Sequence, residues 1–228
     1  MRALLIPVKK FSNAKQRLAA HFLSAERAAL AEALWRDFSE VVAKAHGIDR
    51  VFVVSGEDRV LEDARGHGWT AIRESRQVSE SDSVDFASRR AADQGVSVVL
   101  RLPVDLPLIE PGDVESIFAA APVAPGAVMV ASRDGDGTNA LLRTPAVLFP
   151  SRFGPGSFAG HLAEARKAGA TLEILRNSRV EIDIDEIEDL RALSEFAMRP
   201  CATRTWLESH GFAVLKQAAR AESRASHG

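Results

Sequence analysis

Residues 98–109 read VVLRLPVDLPLI. The opening β-branched and leucine residues fit a buried strand. Pro103 and Pro107 cannot donate to a sheet ladder, so the strand is expected to end near Arg101. Asp105, the lone acid of the run, then falls beyond the carboxyl end of a buried strand, where open α/β sheets hold their ligands. A carboxylate among apolar residues is costly unless it is paired, hydrogen-bonded or bound to a metal. A helix cap would be the simpler role, but the next helix signal, Glu110-Pro111-Gly112-Asp113, comes later. Asp105 therefore reads as a metal ligand.

Outward from this run, strand-like and helix-like segments alternate. Strands are expected at 3–8, 50–55, 69–73, up to Arg101, and at 127–132, 140–143, 171–176 and 180–184. Helices are expected at 24–46, with Ser24 as cap and Gly47 as stop, and at 57–66, 82–94, 113–121, 157–168 and 186–198. In the first of these, Leu30, Leu34, Phe38, Val41, Val42 and Ala45 share one face. This rhythm predicts an α/β fold of three layers, a mostly parallel central sheet with helices on both faces.

No repeat or linker divides residues 1–200, which read as a single domain. Residues 201–228 carry an amphipathic stretch (Trp206, Leu207, Phe212, Val214, Leu215) and a polar tail, ARAESRASHG. That pattern suits a helix docked on the domain, and a homodimer contact is the alternative. The net charge of -2 gives no pull towards nucleic acid or a membrane surface. The opening MRALLIPVKK has too short an apolar run for a signal peptide or a membrane span. A single cysteine, Cys201, excludes an internal disulfide. A cytoplasmic protein is expected.

Three further groups carry chemistry. The segment PVKKFSNAKQRL, 7–18, leaves the first strand with Lys9, Lys10, Lys15 and Arg17, cations suited to a polyphosphate. It lacks glycine, so it is neither a Walker loop nor a dinucleotide fingerprint. In EIDIDEIEDL, 181–190, Asp183 and Asp185 lie two apart on an extended segment and point the same way. Like-sided aspartates repel unless a cation lies between them, and Mg2+ is a hard ion that suits them. Asp185 can equally cap the following helix. The third group is RDGDGTNALL, 133–142, with FPSRFGPGSFAGH, 149–161, where glycines precede Ser157 at a helix start, a place where backbone amides bind anions.

Taken in order, IPVKKFSNAKQRLA, LRLPVDLPLI, DGTNALL, FGPGSF followed by a histidine, and EIDIDEIEDL resemble the 2-phospho-L-lactate guanylyltransferase family of coenzyme F420 biosynthesis. That family includes members using phosphoenolpyruvate or 3-phospho-D-glycerate. The resemblance covers residues 1–198. It implies a nucleotidyltransferase fold like that of molybdopterin guanylyltransferases, and transfer of GMP from GTP to a small phosphorylated carboxylic acid with release of pyrophosphate. It implies Mg2+ on Asp105, Asp183 and Asp185. It also implies a GTP site at Pro7, Lys9, Lys15 and Arg17, and an acceptor site at Thr138, Asn139, Gly154 and Ser157. Asp105, Lys15 and Arg17 would then be the catalytic residues.

Two departures mark this chain. Sugar and pterin nucleotidyltransferases have a glycine-rich first loop, which is absent here. Where many members carry a Gly-Leu-Asn-like segment, this chain has SESDSVDFAS, 79–88. Ser81, Asp82, Ser83 and Asp85 are the residues expected to serve there, with Asp82 and Ser83 towards the nucleotide. Two other classes fit the residues alone: a glycosyl transferase using Asp183-Ile184-Asp185 as its metal motif, and a nucleotide-binding protein without catalysis.

Overall fold

Strand β1 (Arg2–Val8) is apolar on both sides and covered from Ala3 to Val8, the mark of a strand at the centre of a parallel sheet. Its neighbours are β2 (Arg50–Ser55) and β4 (Val98–Arg101), both parallel to it. With β3 (Thr70–Arg73), β5 (Gly126–Ala131), β6 (Thr138–Thr144) and β7 (Thr171–Ile174), the sheet runs in the order β3-β2-β1-β4-β6-β5-β7. Six strands share one direction; β6 is antiparallel to both β4 and β5. The computed structural model describes residues 1–74 and 79–216.

Helices α1 (Ser24–Lys44), α2 (Asp58–Gly66) and α4 (Pro111–Ala119) cover one face, packing Trp35, Phe38, Val60, Ile117 and Phe118 against Leu4, Ile6, Val53 and Leu100. On the other face, α3 (Glu80–Ala92) sets Val84, Ala87 and Ala91 on Leu5, Phe52 and Val54. Beside it, α5 (Ser157–Lys167) closes over Met129 and Leu141. Alternate residues of β1 thus feed opposite layers, as the two-residue period of a strand requires. Burial of these apolar side chains is the main force holding the three layers together, at about 1.5–3 kcal/mol for each large one.

A separate apolar cluster flanks the sheet and anchors the chain's later segments. Ile182, Ile184, Leu190, Trp206 and Leu207 meet Leu18, Leu30 and Leu34 there. It joins α6 (Ile187–Ala192) and α7 (Ala202–Ser209) to α1. The Asp37 carboxylate accepts the Ala202 and Thr203 amides at 2.9 and 2.7 Å, completing the open first turn of α7. The polar tail 219–228 lies outside the described residues. Among the described residues no helix is long and apolar enough to cross a membrane.

Several boundaries differ from expectation. Ser24 is the first residue inside α1 rather than its cap; the Leu23 amide donates to Glu26 at 2.7 Å instead. The segment 180–184 is not a strand. It alternates as a strand would, with Val180, Ile182 and Ile184 buried, but it passes beside the exit of β4, whose two sides are already paired with β1 and β6. It crosses the chain after β4 instead, where the Ile184 amide donates to the Asp105 carbonyl at 3.1 Å. The helix expected over 186–198 stops at Ala192 and gives way to a 3-10 turn and the short β8 (Ala197–Met198), paired with β9 (Leu215–Lys216).

Candidate active site

At the carboxyl edge of the parallel strands lies a cavity of about 560 Å³, a size suited to a small-molecule ligand. Its walls come from the exits of β1 and β4, the start of β6, the loop before α5 and the segment before α6. Pro7, Lys9, Lys15, Arg17, Asp105, Thr138, Asn139, Gly154, Ser157, Asp183 and Asp185 all line it.

The loop after β1 has no glycine, yet its backbone makes a turn of the kind glycine usually takes. Lys15 sits in the left-handed region, φ 53° and ψ 41°, at a cost of about 1–2 kcal/mol for an L-residue. That turn carries its side chain inward, where it is 7% exposed. Lys15 Nζ donates to Asp105 Oδ2 at 2.6 Å and to the Ile184 carbonyl, and lies 3.7 Å from Asp185 Oδ1. Burial works against the ammonium, but Asp105 and Asp185 outweigh it and hold Lys15 above the ordinary lysine value. Likewise burial opposes the Asp105 carboxylate, while Lys15 and then Arg101 keep it below the usual range.

In the other two carboxylates the nearby cations do not outweigh burial. Burial, together with the charge of Asp105, pushes Asp183 up to about 6, against the opposing hydrogen bond from Asn139. The same two causes raise Asp185. Among the described residues no three His, Cys, Asp or Glu side chains form a ready cation cage. Of the three aspartates expected as one ligand set, Asp105 and Asp185 flank the Lys15 ammonium at 2.6 and 3.7 Å, as mutual repulsion favours, while Asp183 is held by Asn139. Hard oxygen donors with excess negative charge nevertheless suit a divalent cation. Arg17 stands at the rim, its Nη1 3.4 Å from Asp185 and 3.5 Å from Glu186, and Lys9, also exposed, lines the same cavity.

Thr138 and Ser157 line another part of the cavity. Their hydroxyls are 3.2 Å apart, and Thr138 Oγ1 lies 3.0 Å from Nδ1 of the buried His161. Gly156 begins α5 in the left-handed region, φ 69°, with Gly154 at φ 126°, conformations that only glycine adopts at little cost. The expected open anion cradle is already filled at this helix start. Asp136 takes the Gly156 amide with its carboxylate at 2.7 Å and the Phe158 amide with its carbonyl at 3.0 Å, and the Ser157 amide donates to Gly154. Asn139 also differs from its expected role. Its Nδ2 is committed to the Val180 carbonyl at 2.9 Å and Asp183 at 3.1 Å, so it positions an aspartate rather than reaching an acceptor.

Asp82 and Ser83 do not reach the cavity. Because α3 starts at Glu80, ahead of the expected boundary, these residues sit in its first turns. Asp82 is held by the Ser79 cap, and Ser83 bonds Glu74 and the Ser79 carbonyl. Ser81 anchors the Phe153 amide at 2.8 Å, and Asp85 binds Ser151 and Arg143. From that region it is Glu80 that lines the cavity, paired with Arg101. Arg101 was missed in the sequence, although a lone cation in the VVLRL run was its signal. Its side chain is 6% exposed, it donates to the Thr138 carbonyl at 3.1 Å, and it lies 4.1 Å from the centre of the Phe153 ring. Burial lowers it to about 10, still charged at neutral pH.

A family model described as "Guanylyl transferase CofC like" matches residues 1–226. A phosphoenolpyruvate guanylyltransferase of Rubrobacter xylanophilus is 38% identical over 83% of this chain and 91% of its own length. A 2-phospho-L-lactate guanylyltransferase of Methanothermobacter thermautotrophicus is 32% identical over 82% of this chain and 81% of its own. A 3-phospho-D-glycerate guanylyltransferase of Phenylobacterium zucineum is 33% identical over 90% of this chain and 94% of its own. Among solved structures, a putative nucleotide-diphospho-sugar transferase of Desulfovibrio desulfuricans superposes with a TM-score of 0.73 at 16% identity, covering 91% of this chain and 94% of that one. That likeness concerns the fold alone. With its cation-and-carboxylate cleft on this fold, the chain belongs to the CofC-like guanylyl transferase family and is a nucleotidyltransferase.

Proposed function

We propose that this enzyme transfers GMP from GTP to a small phosphorylated carboxylic acid, releasing pyrophosphate, within coenzyme F420 biosynthesis. The candidate acceptors are phosphoenolpyruvate, 2-phospho-L-lactate and 3-phospho-D-glycerate. The observation that carries this reading is one cavity with two chemically distinct walls. Lys15, Arg17 and the aspartates suit a metal-bound triphosphate, and the Thr138–Ser157 hydroxyl pair suits a second anion.

In this reading an oxygen of the acceptor's phosphate attacks the α-phosphorus of GTP, and the bond to the pyrophosphate oxygen breaks. A phosphate monoester has a second pKa of about 6, so this nucleophile is already ionised at neutral pH and needs no base. The neutral, buried His161 accords with that. The difficulty is bringing two polyanions together. Lys15 fixes the loop against Asp105 and Ile184, while Lys9 and Arg17 present charge to the phosphates at the rim. Asp105, Asp183 and Asp185 are the residues that would hold Mg2+, which when bound neutralises phosphate charge and stabilises the transferring group.

The test is pyrophosphate release with each of the three acids against GTP, CTP and ATP. Turnover with GTP and one of the acids is the expected result; none with any pairing in the presence of Mg2+ overturns the reading. Asp105→Asn is expected to abolish turnover while leaving the protein folded, and near-normal activity in that variant would remove the residue from the assignment.

A further inference from the structure

The buried imidazole behind the acceptor wall has a proton arrangement set by its neighbours. His161 lies one turn into α5 from Ser157, on the same face of the helix, and none of it is exposed. Its Nε2 faces the Arg152 amide at 2.8 Å. A backbone N–H can only donate, so Nε2 accepts and carries no proton. Burial, reinforced by Arg101 and Arg143, drives the imidazolium form down to about 3, so the ring is neutral and its single proton is on Nδ1. That nitrogen faces Thr138 Oγ1 at 3.0 Å.

The bookkeeping of protons then continues into the cavity wall. Thr138 Oγ1 accepts from His161, so the Thr138 hydroxyl cannot donate back along that line. One hydroxyl proton of the Thr138–Ser157 pair lies between the two oxygens, 3.2 Å apart. The other has no place within the trio and is directed away from it. Thr138 and Ser157 are 5% and 3% exposed and both line the cavity. A hydroxyl proton left over in so enclosed a wall calls for a strong acceptor.

We infer that His161 is a positioning residue, which by donating to Thr138 commits a hydroxyl proton of the Thr138–Ser157 pair to an anionic oxygen of the acceptor. The inference rests on the reading of this wall as the acceptor site. Were the Arg152 amide contact missing, the ring could carry its proton on Nε2 and accept from Thr138. The wall would then present a lone pair, which repels an anion. A backbone contact on the far side of the ring therefore sets the polarity of the site.

Two isosteric changes separate this role from packing. In His161→Asn the amide nitrogen stands near Nδ1 and can still donate to Thr138. In His161→Gln the amide oxygen stands near Nε2, keeps the Arg152 contact and loses the donor. The expectation is that His161→Gln raises the acceptor KM about 10- to 100-fold, the span of a hydrogen bond to a charged group. The GTP KM should stay unchanged, and His161→Asn should remain within about threefold of wild type by the same hydrogen-bond reasoning. Gln behaving normally while Asn is impaired, or equal impairment of both, overturns the inference. Thr138→Val distinguishes the two levels. If it leaves the acceptor KM unchanged, the acceptor-site reading fails. If it raises that KM while His161→Gln does not, only the role of His161 fails. Independently of any variant, 15N–1H correlation spectra of histidine-labelled wild-type protein should show His161 as the Nδ1–H tautomer, and an Nε2–H tautomer overturns the inference.

Discussion

Replacing Lys15 by Met removes the charge at the centre of the site and keeps most of the side-chain volume. The left-handed backbone at this position is equally unfavourable for both residues, so that cost cancels. What remains is an Asp105 carboxylate 22% exposed with no partner at 2.6 Å, and an Ile184 carbonyl without its donor. Breaking a buried ion pair by deleting one member costs about 3–5 kcal/mol. The partial access of solvent to Asp105 places this case near 3 kcal/mol on the same scale. The pH window follows from the two shifts. Lys15 is held above 10.5, so its contribution is complete below that value and is lost as pH rises through the raised value. Asp105 is held below 3.8, so its contribution is present above 3.8 and is lost as pH falls through the lowered value. Urea unfolding of wild type and Lys15→Met at pH 7 and at a series of pH values below 3.8 measures this. The variant should be weaker at pH 7, and the difference should shrink as the pH falls below 3.8. Added Mg2+ should stabilise the variant more than the wild type, since the freed carboxylates can then gather a cation. A loss below about 1 kcal/mol at pH 7, the range of an exposed ion pair, would refute the reasoning.

Asp183→Asn should abolish turnover yet stabilise the metal-free protein at pH 7.5, by roughly 1–3 kcal/mol. Because Asp183 is raised from 3.8 to about 6, its stabilising protonated form is complete below 3.8 and is lost as pH rises through 6. The advantage of the variant should therefore vanish below pH 4, which paired unfolding curves at the two pH values would check. Asp113→Ala should cost about 2–4 kcal/mol in urea unfolding. Its carboxylate takes the Glu110 amide at the start of α4 and also Asn177 and Arg179, the turn that launches the segment of Asp183 and Asp185. A loss confined to stability, with kcat intact, would show that this turn does not set the aspartates. Arg101→Met leaves Glu80 unpaired beside the cavity; a drop of about 3 kcal/mol is expected, and no change in the melting curve would contradict the pairing.

The fold was legible because its strands are covered on both faces, and continuous apolar runs such as ALLIPV and VVLR have few other homes. The direction of β6 was not, since a two-residue period is the same read either way. Nor was the fate of 180–184, whose alternation of Ile and Asp satisfies a strand ladder and an isolated extended segment equally well. At the site, the charged residues were found from type and position: Lys15, Asp105, Asp183 and Asp185 meet although they come from three distant segments. Side chains whose polar atoms are spent internally misled the reading. Asn139, Asp82 and Ser83 have suitable chemistry, and only the structure reveals partners that already occupy them. Arg101 escaped notice, and the histidine after FGPGSF, His161, carried no assigned role, because their roles depend on burial, which a single residue letter does not encode.

The reversal of β6 has a consequence for how such a catalyst can change its preference. Every other wall element reaches the cleft as the chain leaves the parallel strands or the segments that follow them, whereas Thr138 and Asn139 arrive at the beginning of a strand, on the return stroke of a hairpin from β5. In the proposed function, Thr138, which would face the acceptor, is thus carried on a hairpin, and among the described residues only Asn139, through Asp183, ties the hairpin's side chains to the three aspartates. Changes at the exposed residues 133–135 leave the register of β1, β2 and β4 untouched, whereas Asp136 anchors the start of α5 through the Gly156 amide. On the proposed reading, acceptor preference can shift through this hairpin as long as Asp136 and Asn139 keep their partners.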